Sequence, residues 1–136
     1  ASNVYMNSRW MFKLGGLYQL PYGFNISGTI SARDGFISPE YAEDPSYWKY
    51  DFDNASVWTE KFGTTRDPNV FLLNLRLEKR FAIGEFGNVY LSMDGFNILN
   101  SSVRLARHRN TRADNYNQTL AIMSPRIFRF GVRFEF

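Results

Sequence analysis

The chain has 136 residues, 16 basic and 13 acidic side chains, a net charge of +3, 18% aromatic content and no cysteine. That length suits about one domain, the mixed charges give no single-sign field that would mark an anionic partner, and the lack of thiols excludes disulfides and thiolate metal sites. The mean hydropathy of -0.36 and the lack of an apolar run near the roughly 20 residues of a spanning helix exclude helical membrane spans. Half-apolar barrel strands stay open.

Five segments alternate with period two, and each predicts a strand. In the first, 9–20, Trp10, Phe12, Leu14, Gly16, Tyr18 and Leu20 make one face, and Lys13, Gly15 and Gln19 the other. Pro21-Tyr22-Gly23 then predicts a tight turn, because Pro presets its first dihedral and Gly accepts positive φ. The second segment, 24–33, sets Phe24, Ile26, Gly28, Ile30 and Ala32 against Asn25, Ser27, Thr29, Ser31 and Arg33. A long excursion follows over residues 34–69. The third segment, 70–81, opposes Phe71, Leu73, Leu75, Leu77 and Phe81 to Asn74, Arg76, Glu78 and Arg80, with Lys79 the one charge on the apolar side.

A short link at residues 83–87 leads to the fourth segment, from Asn88 to about Asn100, where Val89, Leu91 and Met93 oppose Tyr90, Ser92 and Asp94. A second excursion over about 101–125 precedes the last segment. There Phe128, Phe130, Val132, Phe134 and Phe136 fall on every second position, with Arg129, Gly131, Arg133 and Glu135 between them. The connections thus run short, long, short, long. In an antiparallel meander this puts the tight turns at one end and the long loops at the other, the layout of outer-membrane barrels. Segments of ten to twelve residues at about 3.3 Å each, tilted near 40°, project to roughly 25–30 Å, the height of such a barrel's apolar band. The competing architecture is a soluble β-sandwich, because alternation alone does not say whether the apolar face meets a sheet or lipid.

Chemistry-bearing clusters are sparse. Asp51 and Asp53 are the candidate oxygen ligands for calcium, though without EF-hand spacing. Tyr47, Trp48 and Tyr50, flanked by acidic residues, are candidate stacking contacts for a loop ligand such as a sugar. Arg104, Arg107, His108, Arg109 and Arg112 form a basic cluster. It reads as solvated loop charge or as a partner for lipopolysaccharide phosphates, and not as a nucleic-acid site. With no cysteine and a single histidine, no nucleophile or zinc constellation is formed, so the chain is expected to be neither an enzyme nor a cofactor protein. Arg76, Glu78, Arg80, Arg129 and Arg133 share the polar face, where they would pair across strands or line a lumen.

The run SMDGFNILNSS followed by SPRIFRFGVRFEF resembles the last two strands of TonB-dependent outer-membrane transporters, in which a phrase of the form F-N-[IL]-[LF]-N is typical. FKLGGLYQLPYGFNISGTISARDG and LNLRLEKRF are similar to the preceding barrel strands, particularly of the Oar-like branch. The resemblance covers most of the chain outside residues 36–66. It implies an all-β fold of about five antiparallel transmembrane strands, part of a larger barrel of 22 strands around a plug. Five strands are too few to close a barrel. It also implies residence in a bacterial outer membrane among lipid and lipopolysaccharide, and uptake of a scarce nutrient such as a metal chelate, saccharide or peptide. Energy would come from TonB through regions outside this chain. Phe128, Phe130, Val132, Phe134 and Phe136 would then serve as the signal read by the barrel assembly machinery. The alternative function is a surface-displayed or secreted β-sheet module for binding or adhesion.

Overall fold

A computed structural model describes residues 7–44 and 55–136 and is all-β. The five alternating segments become five strands: β1 (Met11–Leu20), β2 (Phe24–Arg33), β5 (Val70–Ala82), β6 (Asn88–Phe96) and β9 (Ile127–Glu135). They form one antiparallel sheet in the order β1-β2-β5-β6-β9, so every neighbour in the sheet is also the next of these strands along the chain. Among the described residues, β1 and β9 each pair on one side only.

Both short connections are built by local backbone chemistry. Between β1 and β2 the chain makes a tight turn at Pro21–Gly23, with Tyr22 and Gly23 at φ 64° and 79°. Pro21 presets the entry, and Gly23 takes the left-handed conformation without steric cost. Between β5 and β6 the turn Gly84–Phe86 closes through Gly87, whose φ is 118°. A Cβ on Gly87 would lie 2.0 Å from the Glu135 carbonyl oxygen, so no other residue fits beside β9.

Two strand limits differ from the sequence expectation by more than one residue. The first strand begins at Met11 and not at Arg9, because Arg9 turns toward Asp34. The fourth ends at Phe96 and not near Asn100, because Asn97 and Asn100 adopt φ of 50° and 52° and bend the chain. Asparagine tolerates this region better than other side chains because its short amide bonds locally. The excursions also carry four short strands that were not predicted: β3 (Tyr41–Asp44), β4 (Ala55–Trp58), β7 (Arg104–Arg107) and β8 (Thr119–Ile122), each of four residues. Four residues show too few alternations to reveal a period.

The chain divides into two compact units. One is the five-stranded sheet with the turn after β6, made of 11–33, 70–102 and 124–136. The other comprises the described parts of 1–10, 34–69 and 103–123, in which β3 pairs with β4 and β7 with β8. Among the described residues the buried hydrophobic side chains are Ile37, Val70 and Met123, with Pro39 fully covered. Ile37, Pro39 and Met123 belong to the excursion unit and only Val70 to the sheet.

Candidate functional site

Directly opposed residues of neighbouring strands share a face, so the pairing sorts the sheet into rows. On one face the rows are Leu14, Ile30, Leu73; Gly16, Gly28, Leu75, Gly95, Phe128; Tyr18, Ile26, Leu77, Met93, Phe130; Leu20, Phe24, Lys79, Leu91, Val132; and Phe81, Val89, Phe134. Leu14, Tyr18, Leu75, Leu77, Leu91, Met93, Phe128, Phe130, Val132 and Phe134 are all exposed, as is Phe136 beyond the end of β9. A contiguous apolar surface of five strands is far larger than water-facing proteins normally tolerate. Its one charged member is satisfied within the face: the Lys79 ammonium donates to the Tyr22 carbonyl oxygen and sits 4.1 Å from the Phe24 ring centroid and 5.5 Å from that of Phe81.

The other face is polar. Its rows are Lys13, Ser31, Leu72; Gly15, Thr29, Asn74; Leu17, Ser27, Arg76, Asp94, Arg129; Gln19, Asn25, Glu78, Ser92, Gly131; Arg80, Tyr90, Arg133; and Ala82, Asn88, Glu135, while Met11, Val70, Phe96 and Ile127 make its far end more apolar. Asp94 is the hub that sequence reasoning did not single out. Arg129 donates to its Oδ2 through Nε at 3.1 Å and Nη2 at 2.8 Å, and Arg76 Nη1 lies 3.5 Å from Oδ1. Arg76 also reaches Glu78 at 3.2 Å, and Glu78 accepts from the Asn25 amide at 3.4 Å. The Arg133 guanidinium stacks over the Tyr90 ring at 4.2 Å. Arg76, Glu78, Arg80, Arg129 and Arg133 are therefore brought onto one surface, with Arg76 and Arg129 linked through Asp94 and Glu78 held by Arg76.

The turn after β6 gives the F-N-I-L-N phrase a physical role. The Asn97 side-chain amide donates to the Ser101 carbonyl at 3.0 Å and the Ser124 carbonyl at 2.8 Å, and its oxygen accepts the Ser101 N–H at 2.9 Å. Its own N–H donates to the Asn74 side chain at 3.0 Å. Asn100 accepts the Arg126 N–H at 3.0 Å. The two asparagines thus join the exit of β6 to the approach of β9.

In the excursion unit the two long segments are bonded to one another. The Tyr41 N–H donates to the Arg109 carbonyl and the Thr111 N–H to the Tyr41 carbonyl, at 3.1 and 2.8 Å. Glu40 Oε1 accepts from Arg107 Nη1 and from the Tyr116 hydroxyl, each at 2.7 Å. The Tyr116 hydroxyl and then the Arg107 guanidinium hold the Glu40 carboxyl below its ordinary range, and the same bond raises the Tyr116 phenol. Asn110 donates to Glu43 Oε2 at 3.0 Å. Buried Asp34 accepts from Arg9 Nε at 2.8 Å and has Arg66 Nη1 at 3.2 Å, so its pKa is lowered, chiefly by Arg9.

These contacts engage part of the basic cluster, and Arg104 and Arg107 both donate to Asn117 Oδ1, at 3.0 and 3.3 Å. Arg107 turns inward to Glu40, and the His108 ring lies 3.1 Å from the Asn115 amide. Asp51, Asp53, Tyr47, Trp48 and Tyr50 lie outside the described residues. Comparison with protein-family models, with curated proteins and with solved structures yields no match.

Proposed function

We propose that this chain is part of the wall of an outer-membrane β-barrel of the TonB-dependent transporter kind, with hydrocarbon against the apolar face and a water-filled or plug-filled interior against the polar one. The observation that carries this reading is the sorting of five neighbouring strands into rows that are apolar on one face and charged and hydrogen-bonded on the other, with the apolar rows left uncovered. A transmembrane barrel is the setting in which such a face needs no protein cover.

On this reading the free edges of β1 and β9 pair with further barrel strands, and the exposed rings of β9 with Phe136 are the segment recognised during barrel assembly. The excursions belong to the outer side, beside lipopolysaccharide. The transported solute is a scarce nutrient such as a metal chelate, saccharide or peptide. TonB acts through regions outside this chain.

The test is the medium around each face. A nitroxide attached at Leu77 should be relaxed by oxygen dissolved in the bilayer, and one attached at Glu78 by a water-soluble nickel chelate. Equal aqueous exposure of both labels, in a chain that stays monodisperse without detergent, would instead favour a soluble binding or adhesion module.

A further inference from the structure

Four arginines stand at the corners of a rectangle on the polar face: Arg76 and Arg80 on β5, Arg129 and Arg133 on β9, with β6 between them. Two strand spacings separate the pair within each row, about 10 Å, and four residues separate the rows, about 13 Å. What differs is the central residue. In one row it is Asp94, which binds both flanking guanidiniums. In the other it is Tyr90, which offers a ring in place of a carboxylate. Among the described residues neither Arg80 nor Arg133 has a carboxylate within ion-pair distance, and both are exposed. Glu78 is engaged by Arg76 and Asn25, and Glu135 is turned to the Tyr90 hydroxyl.

We propose that Arg80 and Arg133, with Tyr90 as the platform between them, form a binding site for a solute bearing a carboxylate or phosphate group. The chemistry follows from how a guanidinium uses its face and its edge. The Arg133 guanidinium carbon lies over the Tyr90 ring, 4.2 Å from its centroid, and a guanidinium held over a ring can still direct its edge N–H groups to an oxyanion in paired bonds. Stacking also fixes the side chain in advance, which lowers the ordering cost of binding. Arg80 approaches from the opposite side of the same row and supplies the second cation. The row lies beside the short β5–β6 turn, at the end of the sheet away from the excursions' points of departure. Beside Ser92, Gly131 has no side chain to obstruct the approach. The site stands on the polar face alone, so it holds whichever medium covers the apolar face.

The experiment titrates the full polypeptide, in detergent micelles at low ionic strength, with inorganic phosphate and with citrate by calorimetry. Saturable binding of either probe is expected, weakened about tenfold or more by Arg133→Gln and by Arg80→Gln, the cost of losing charge-assisted bonds. Arg133→Lys keeps the charge but loses the fork, and should weaken binding several-fold. Arg129→Gln removes an arginine whose charge Asp94 already answers, and should leave the affinity within about twofold. Failure of both probes to bind, or equal loss in Arg129→Gln and Arg133→Gln, overturns the proposal. Should Arg133→Gln fail to fold, the Arg80→Gln and Arg129→Gln pair decides the same question. Because these readouts are independent of the nitroxide measurement, the anion site and the membrane reading can fail separately.

Discussion

The sheet and the excursion unit solve the problem of cohesion by different means. In the sheet, the main-chain ladder supplies regular bonding from β1 to β9, while many of its apolar side chains stay exposed. In the excursion unit the strands are four residues long, and cohesion falls to side chains: Ile37, Pro39 and Met123 are buried, and Asp34, Glu40 and Asn110 bond to partners distant in sequence. The excursion unit leaves Val57, Phe62, Leu120 and Ile122 exposed as well, so the two regions differ in how they are bonded and in the regularity of the sheet's apolar rows.

That contrast is most sharply broken by putting a charge on each face at neighbouring positions. Leu77→Arg, on the apolar face, should cost about 2–4 kcal/mol of unfolding free energy in lipid vesicles, the depth-dependent cost of a cation facing hydrocarbon. Ser27→Arg, one row away on the polar face, should change it by less than about 1 kcal/mol. Urea titration of both variants in vesicles makes the comparison, and equal costs would remove the distinction between the faces.

A smaller effect is expected at the turn that leads out of β6. Asn97→Ala deletes the bonds to Ser101 and Ser124 and places a Cβ-bearing residue without a local amide at φ 50°. The expected loss is about 2–3 kcal/mol, from carbonyls left without partners and from the left-handed backbone. Asn97→Gly relieves only the backbone part and should recover about 1 kcal/mol. Full recovery by glycine would show that the side-chain bonds contribute nothing.

How much of this was legible in the sequence depended on the distance over which each feature is encoded. The strands of the sheet were legible because period two repeats five or six times in four of them and three times in the one from Asn88. The pairing of Arg76 with Asp94 was within reach, since a short turn that sets Ala82 opposite Asn88 also sets Arg76 opposite Asp94. The placement of Arg129 beside the same aspartate was not, because residues 97–126 intervene and no local rule fixes the β6–β9 register. Nor could Glu40 be matched to Arg107, 67 residues away, because a single carboxylate in an irregular loop carries no periodicity. The inward turn of Arg107 to Glu40 was hidden for a related reason, because four arginines and a histidine close together in sequence carry no signal of which one is paired.

The mildest way to sharpen the comparison is pH, because the sheet rests mainly on its ladder, with one carboxylate hub at Asp94, while the excursion unit rests more on side-chain carboxylates. Ladder bonds run from amide to carbonyl and are unaffected by protonation between pH 3 and 10. In the excursion unit Glu40 bonds across to Arg107 and Tyr116, and Asp34 bonds Arg9 and Arg66; both carboxyls are held below their ordinary values of 4.5 and 3.8. A depressed carboxylate contributes stability above its unfolded pKa and loses it as pH falls through the folded value. Tyr116 works in the opposite sense: its raised phenol contributes below its ordinary 10.0 and fails as pH rises beyond it. Hydrogen-exchange protection of the Tyr41 and Thr111 amides, which join the excursions, should therefore fall below about pH 4.5 and again above about pH 10. Protection of the Leu75 and Leu77 amides within β5 should stay level over that range. Glu40→Gln should lower protection at Tyr41 and Thr111 at neutral pH and flatten its dependence on acid. A parallel decline of both sets of amides on acidification would show that the excursions and the sheet open as one cooperative unit, and the contrast in how they are held would then have no consequence for stability.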